Sequence, residues 1–337
     1  MNKLTKLGAS ALCGSLAAIS AANAGDMTVS GTVDMSWISL DDSTTQNPIG
    51  IGSNVGFAGS GELDNGWSVD LSIAMTNNDV YSNTNVTVGV PAMGDFRISQ
   101  GVSGSGIDRM DDVTPNVWEE AYGTGLGTGI NTVGGVSGSS NVEFTPNMMP
   151  DGLTARIAYS PNVGGSGAAD NAASAGEGHK GSGYDVTIEM SDAITGASGL
   201  SIGAGYSSTD QDQTNTLYNG DVDEQTFYAT YAVAGFTLGY QWSEEDLGTA
   251  SNELSYENTG YGITFAVNDD LSIGYNHYES DQDSTTDVTA EASSFQIAYS
   301  MGGASIRVAE ASSDNNNYQT TAMYDKDATT ISVSLAF

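Results

Sequence analysis

Basic side chains are scarce in this chain. Eight lysines and arginines stand against 42 aspartates and glutamates, a formal charge of −34 at pH 7. Proteins that hold nucleic acid present a basic stripe to the phosphates, so this balance excludes that class. Histidine occurs only at His179 and His277, with no metal-ligand spacing between them, which argues against a zinc site. Serine is so frequent that one lies near either histidine by chance. No Ser/His/Asp set stands out, and the chain reads as a non-enzyme. Gly123-Thr-Gly125-Leu-Gly127 lacks the strand and helix that surround a dinucleotide site. Cysteine occurs once, at Cys13. After the N-terminal segment no stretch approaches the ~20 apolar residues of a membrane-spanning helix. Entry into a membrane is then open only to a closed barrel, the other form in which every backbone group is paired.

The N terminus reads as an export signal. Lys3 and Lys6 form a positive start, Leu7 to Ala22 is apolar and small, and Ala22-Asn23-Ala24 is an A-x-A cleavage site. Residues 1–24 are therefore expected to leave, and 25–337 to form one domain. Cys13 goes with them; Leu12 before it is not the small residue that lipidation requires. A mature chain without cysteine suits an oxidising periplasm, where a stray thiol is a hazard. Lys3 and Lys6 are lost too, which takes the charge to −36.

What is present in quantity is alternation. In Thr329–Phe337 the side chains of Ile331, Val333, Leu335 and Phe337 fall on one face, with Thr330, Ser332 and Ser334 on the other. Period two means a strand with one apolar face. Ending on an aromatic ring, as this chain does at Phe337, is a habit of bacterial outer-membrane barrels, whose closing strand sets its ring at the lipid interface. The same pattern recurs from Val29-Gly31-Val33-Met35-Trp37 onward and predicts sixteen strands. The twelfth, Leu254 to Val267, changes phase near Gly260, as at a β-bulge. So regular an alternation also speaks against disorder, despite the charge.

The connections alternate in length. Seven are short, such as Asp64-Asn65-Gly66 and Ala234-Gly235, and use residues that tight turns need. Eight are longer, among them Gly101 to Gly138 and Ser280 to Val288, and most acids are expected in these loops. Short turns on one rim and long loops on the other characterise an even-stranded outer-membrane barrel. A secreted β-sandwich shares the strand period but has no reason for this asymmetry. Trp37, Trp67, Tyr159, Tyr206 and Trp242 near strand ends match the aromatic girdles at the two lipid interfaces.

Sixteen strands, the terminal Phe337 and an oversized third loop carrying Asp108-Arg-Met-Asp-Asp-Val-Thr-Pro-Asn-Val-Trp-Glu-Glu-Ala121 together resemble the general porins of Gram-negative bacteria, most closely the alpha-proteobacterial type. The resemblance covers essentially the whole mature chain. It implies an all-β fold: a 16-stranded antiparallel transmembrane β-barrel whose third loop folds into the lumen and narrows it. It also implies a homotrimer, and a field across the constriction between loop carboxylates and wall arginines.

The residues support such a field in their own right. Arg97 sits between Phe96 and Ile98, Arg156 between Ala155 and Ile157, and Arg307 between Ile306 and Val308. If the apolar neighbours face lipid, all three arginines face the lumen, since a charge at the lipid midplane costs about 2–4 kcal/mol. Loop three offers Asp108, Asp111, Asp112, Glu119 and Glu120 opposite them, while Arg109 lies within the loop and can anchor it. A second reading stays open: the acids are a solvated loop, and the arginines pair with Asp34, Asp70, Asp185 or Glu189 on neighbouring walls.

The expected function is passive diffusion of small hydrophilic solutes and ions through a water-filled channel in the outer membrane. Carboxylates favour cations, so a mild cation preference is expected. A substrate-specific channel is the near alternative, with Trp118, Tyr122, Tyr228 and Tyr278 as candidates for an aromatic slide. A barrel that only anchors adhesive loops fits less well, because no loop besides the third is long enough for a separate domain. No resident cofactor is expected. Asp41-Asp42, Asp210/Asp212, Asp221/Asp223/Glu224 and Asp281/Asp283 offer oxygen ligands for loosely held calcium, but none follows the EF-hand pattern.

Overall fold

The computed structural model describes residues 27–41, 47–77, 83–165, 178–250 and 254–336. The expected leader at 1–24 with Cys13, Asp42 and the terminal Phe337 lie outside the described residues. The strands are β1 (Thr28–Leu40), β2 (Ile49–Glu62), β3 (Ser68–Thr76), β4 (Asn83–Val90), β5 (Gly94–Gln100) and β6 (Asn141–Pro146). There follow β7 (Leu153–Ser160), β8 (Lys180–Met190), β9 (Leu200–Gln211), β10 (Val222–Val233) and β11 (Phe236–Asp246). The last five are β12 (Ser255–Ala266), β13 (Leu271–Asp283), β14 (Val288–Met301), β15 (Ala304–Asp314) and β16 (Lys326–Ala336). Each pairs antiparallel with its neighbours in sequence, and β1 closes on β16, with Thr32 opposite Ala336 and Leu40 opposite Ala328. The result is a closed sixteen-stranded barrel without a free edge.

The side-chain alternation fixes which face is oily. Along β8, Tyr184, Val186 and Ile188 are 46%, 44% and 41% exposed on the outside, whereas Asp185 and Thr187 between them are 0% and 1% exposed inside. The barrel is therefore apolar outside and polar inside, the reverse of a soluble sandwich. Aromatic rings form two outer bands. Tyr231, Phe236, Phe265 and Tyr299 lie toward the short-turn rim, with Phe236 stacked on Phe265 at 4.4 Å. Tyr159, Tyr184 and Tyr206 lie toward the loop rim, where the last two rings meet at 6.2 Å.

Two expectations need correction. The β12 register runs unbroken through Gly260 against both neighbours, so no bulge stands there. The register shift in β8 falls instead between Lys180 and Gly183. The apolar phase changes in β12 because Tyr256 turns inward to pack on Tyr318, at 5.1 Å, under the loops. Many acids expected in loops also lie on strands. β13 runs to Asp283 and β14 starts at Val288, so residues 284–287 alone connect them, and Glu244, Asp281 and Asp283 stand on paired strands. Beyond the lipid both strand faces are wet, so the ladder continues without the apolar alternation that would reveal it.

Candidate functional site

The connection from β5 to β6, residues 101–140, enters the barrel and lies along its inner wall. One cross-strand row shows how it is held. Asp70, Thr87, Arg97, Glu143, Ala158, Asp185, Ser207 and Glu224 are successive partners on β3 to β10. Three carboxylates of this row accept backbone N–H groups of the loop. Glu143 receives Gly106 at 2.7 Å, Asp185 receives Ile107 at 3.1 Å and Val136 at 3.2 Å, and Glu224 receives Gly134 at 2.7 Å and Gly135 at 2.9 Å. A buried carboxylate needs donors and a buried loop needs acceptors, so each satisfies the other. Outgoing and returning limbs of the loop are thus fastened to the same strands.

Further along, wall amides take over. Gln241 on β11 donates to the Met110 and Asp111 carbonyls, and Asn276 on β13 donates to the Glu119 carbonyl at 3.2 Å. Gln296 on β14 receives Trp118 N–H at 3.1 Å and donates to the Glu119 carbonyl. On β16, Thr330 donates to the Thr124 carbonyl at 3.0 Å. The loop therefore covers the inner faces of the later strands. It leaves open the side where Asn54, Asp70, Asn85 and Thr87 line β2 to β4, and the passage runs between that wall and the loop.

The loop acids divide into two groups. Asp108 serves the loop itself, receiving Gly104 N–H and the Ser137 hydroxyl, the latter at 2.8 Å. Asp111, Asp112, Glu119 and Glu120 stand close enough to act on one another. Burial, a hydrogen bond that protonated Asp111 donates to Asp112, and nearby acids push Asp111 up to about 8. Burial, together with Asp112 and Glu119, raises Glu120 to about 7 against the hydrogen bond from Asn116. Glu119 is also raised, chiefly by burial, although the Arg307 guanidinium opposes this. Of the four, Glu120 is buried and Asp112 is exposed.

The three wall arginines all point inward, but each is engaged. Arg97 donates to the Gly104 carbonyl at 2.8 Å, at the root of the loop. Arg156 pairs with Glu189, which also accepts the Tyr228 hydroxyl at 3.1 Å. Arg307 lies 3.5 Å from Asp34 and acts on Glu119. Arg109 pairs with Glu143 and so helps to pin the loop. Asp34 and Glu189 are the wall partners considered from sequence, whereas Asp185 holds backbone instead of an arginine. What the structure brings together is one loop cluster, Asp111, Asp112, Glu119 and Glu120, with one arginine, Arg307, acting on its Glu119.

Glu143, Gln241, Asn276 and Gln296 were not singled out from sequence as site residues, and Glu224 only as a calcium ligand. Glu143 between Val142 and Phe144 has the same inward signature as the arginines. Three of the four aromatic candidates are packed: Tyr122 and Tyr278 against each other between loop and wall, and Tyr228 over Gly203 of the wall. Tyr278 is 1% exposed, with Tyr122 edge-on at 4.7 Å, and Tyr228 is 7% exposed. A cavity of about 540 Å³ lies against the loop, bordered by Asp108, Asp111, Tyr122, Lys180, Glu224 and Glu245. Among the described residues no group of three His, Cys, Asp or Glu side chains is placed to hold a metal ion.

Known proteins agree with this architecture. The fold is similar to OmpF of Salmonella typhi, solved in complex with daunomycin, at 14% identity and a TM-score of 0.68, covering 94% of this chain and 98% of that one. It is similar to an anion-selective porin from Comamonas acidovorans at 13% identity and 0.66, covering 93% and 99%. It is also similar to the trimer form of OmpT from Vibrio cholerae at 12% identity and 0.65, covering 94% and 100%. Among curated proteins no match is found. At these identities the structural likeness speaks for the fold alone. The Gram-negative porin family, however, matches the sequence over residues 8–317. The chain belongs to the Gram-negative porin family, and its lumen is an outer-membrane diffusion channel.

Proposed function

We propose that the channel passes small hydrophilic solutes and ions with a preference for cations. The observation that carries this is the charge balance at the constriction. Against four clustered loop acids stands Arg307, which acts on Glu119 and shares its charge with Asp34, while Arg97 and Arg156 are engaged with the loop root and with Glu189. Asp70 on the open wall adds a further carboxylate. Carboxylates that line a narrow aqueous path raise the local concentration of cations. Fold alone does not set the sign, since the similar Comamonas protein is described as anion-selective. Tyr228 and Tyr278 are buried and Tyr122 is packed on Tyr278, which takes these three rings out of a sugar slide and favours a general channel. The reading includes no catalysis and no resident cofactor.

Residues 1–24 are proposed to be an export leader removed after Ala24. The working form is proposed to be a homotrimer. One outer face supports this: Ile51 and Val55 on β2, Leu71 and Ile73 on β3, and Val86 and Val88 on β4 point outward, and Phe57 is the one ring on these strands. Interface rings mark lipid-facing wall, so an aliphatic face between the aromatic bands suits protein contact. Reversal potentials across planar bilayers under a KCl gradient test the selectivity. A cation-favouring sign is expected, and an anion-favouring sign overturns the charge argument while leaving the pore intact.

A further inference from the structure

Wall amides and carboxylates explain how the loop is fastened, but not why it lies so deep against the wall. The answer lies where side chains are missing. Gly239 on β11 and Gly262 on β12 are direct cross-strand partners on the inward face. The next inward partners in that row are Asn276, Ser294 and Ala311, so the wall here is built of small side chains with one amide donor. Pro115 of the loop sits over the glycine pair. A methyl group added at Gly239 would stand 2.3 Å from Pro115 Cδ and 2.8 Å from its Cγ. One added at Gly262 would stand 2.2 Å from the Pro115 carbonyl oxygen and 2.9 Å from Thr114 Cγ2. Real side-chain carbons do not approach this closely, so any larger residue would force the loop away from the wall and into the passage.

We infer that Gly239 and Gly262 form a seat for Pro115, and that this seat determines the free width of the channel. They are positioning residues: no solute touches them, and they act through the loop. Gln241 and Gln296, on either side of the seat, bond the Asp111 carbonyl and the Trp118 and Glu119 backbone. These bonds keep a displaced loop tethered, so displacement narrows the pore instead of freeing the loop. The inference rests on conduction through the lumen.

The two glycines meet different atoms of Pro115, and this gives a test that general misfolding does not imitate. Gly239 is opposed by the proline ring, which Pro115→Ala removes; Gly262 is opposed by backbone, which that substitution leaves in place. The full chain is purified from outer membranes, its folding checked by heat-modifiable migration, and its single-channel conductance measured in KCl. Gly239→Ala and Gly262→Ala are each expected to lower conductance and the size of the largest sugar that enters in liposome swelling. Adding Pro115→Ala should restore conductance to Gly239→Ala but not to Gly262→Ala. Unreduced conductance in either folded glycine variant overturns the inference, and so does a Gly239→Ala loss that Pro115→Ala fails to repair. If Gly239→Ala does not fold, Gly262→Ala decides by the first criterion. A natural chain that does not conduct at all would instead remove the channel reading itself.

Discussion

At the residue scale, the decisive property is that Asp111 and Glu120 hold their protons to higher pH than ordinary carboxylates. Asp111 is pushed up to about 8 and Glu120 to about 7, both mainly by burial. Near neutrality the cluster therefore carries less negative charge than its composition suggests. Raising the pH through this range ionises it. Cation selectivity is expected to increase between pH 6 and pH 9, read as a growing reversal potential under a fixed KCl gradient. Asp111→Asn should flatten that rise while changing little at pH 6. A selectivity independent of pH would refute these raised proton affinities. The effect on stability follows from linkage. Both groups bind protons more tightly folded than unfolded, so their contribution is full below the ordinary carboxylate range and is lost as pH rises through about 7 to 8. Arg307 is the second lever. It is the arginine that acts on Glu119, and its partner Asp34 lies 3.5 Å away. Arg307→Gln removes that counter-charge, so cation selectivity should exceed that of the natural channel at every pH. The same change at Arg156, tied to Glu189 and not to the loop cluster, should matter less.

At the scale of elements, the third loop behaves as a lining held at a few points on a rigid wall. Asp185 is the one that ties both limbs by their backbone, with Ile107 N–H from the outgoing limb and Val136 N–H from the returning one. Asp185→Ala strands two buried donors, and an unmet buried donor costs about 1–3 kcal/mol. Unfolding in denaturant should show a loss of that order, with Asp185→Asn closer to the natural protein because its carbonyl still accepts. Amide exchange at Ile107 and Val136 should quicken in the alanine variant, and unchanged exchange there would show that Asp185 is not a fastening. The strands that make this wall were readable because lipid on one side and water on the other impose strict alternation. Where that contrast ends, reading failed. Strand extensions at Asp281 and Asp283 have polar surroundings on both faces, and Tyr256 breaks the phase by turning under the loop. The arginines and Asp185 were legible by parity, and parity applied to Glu143 would have placed it inward as well. Their partners were not legible: a backbone N–H dozens of residues away has no signature in sequence. The glycine seat was invisible for a related reason, since Gly239 and Gly262 looked like ordinary small positions in alternating strands.

At the scale of the whole molecule, the question is where a formal charge of −34 acts. Much of it stands at the loop rim on paired strands, sometimes with like charges opposed: Glu244 faces Glu257, Glu257 faces Asp281, and Glu279 faces Glu291. Such pairs repel across the ladder and offer no packing in return. Their reach is set by salt, with a Debye length of ~10 Å at 0.1 M and ~3 Å at 1 M. The constriction acids differ, because an ion passing the loop comes nearly into contact with them and the wall excludes part of the screening solvent. Two contributions to selectivity can therefore be separated by ionic strength. At 0.1 M both the rim and the constriction enrich cations, so the permeability ratio of K⁺ to Cl⁻ should be largest there. At 1 M the rim is screened, and the ratio should fall to a lower value that still exceeds unity and that Asp111→Asn reduces further at pH 9. A ratio that collapses to unity at 1 M would assign selectivity to the rim alone and deprive the loop cluster of its role. A ratio that does not change with salt would show that the rim carboxylates, for all their number, do not influence which ions enter.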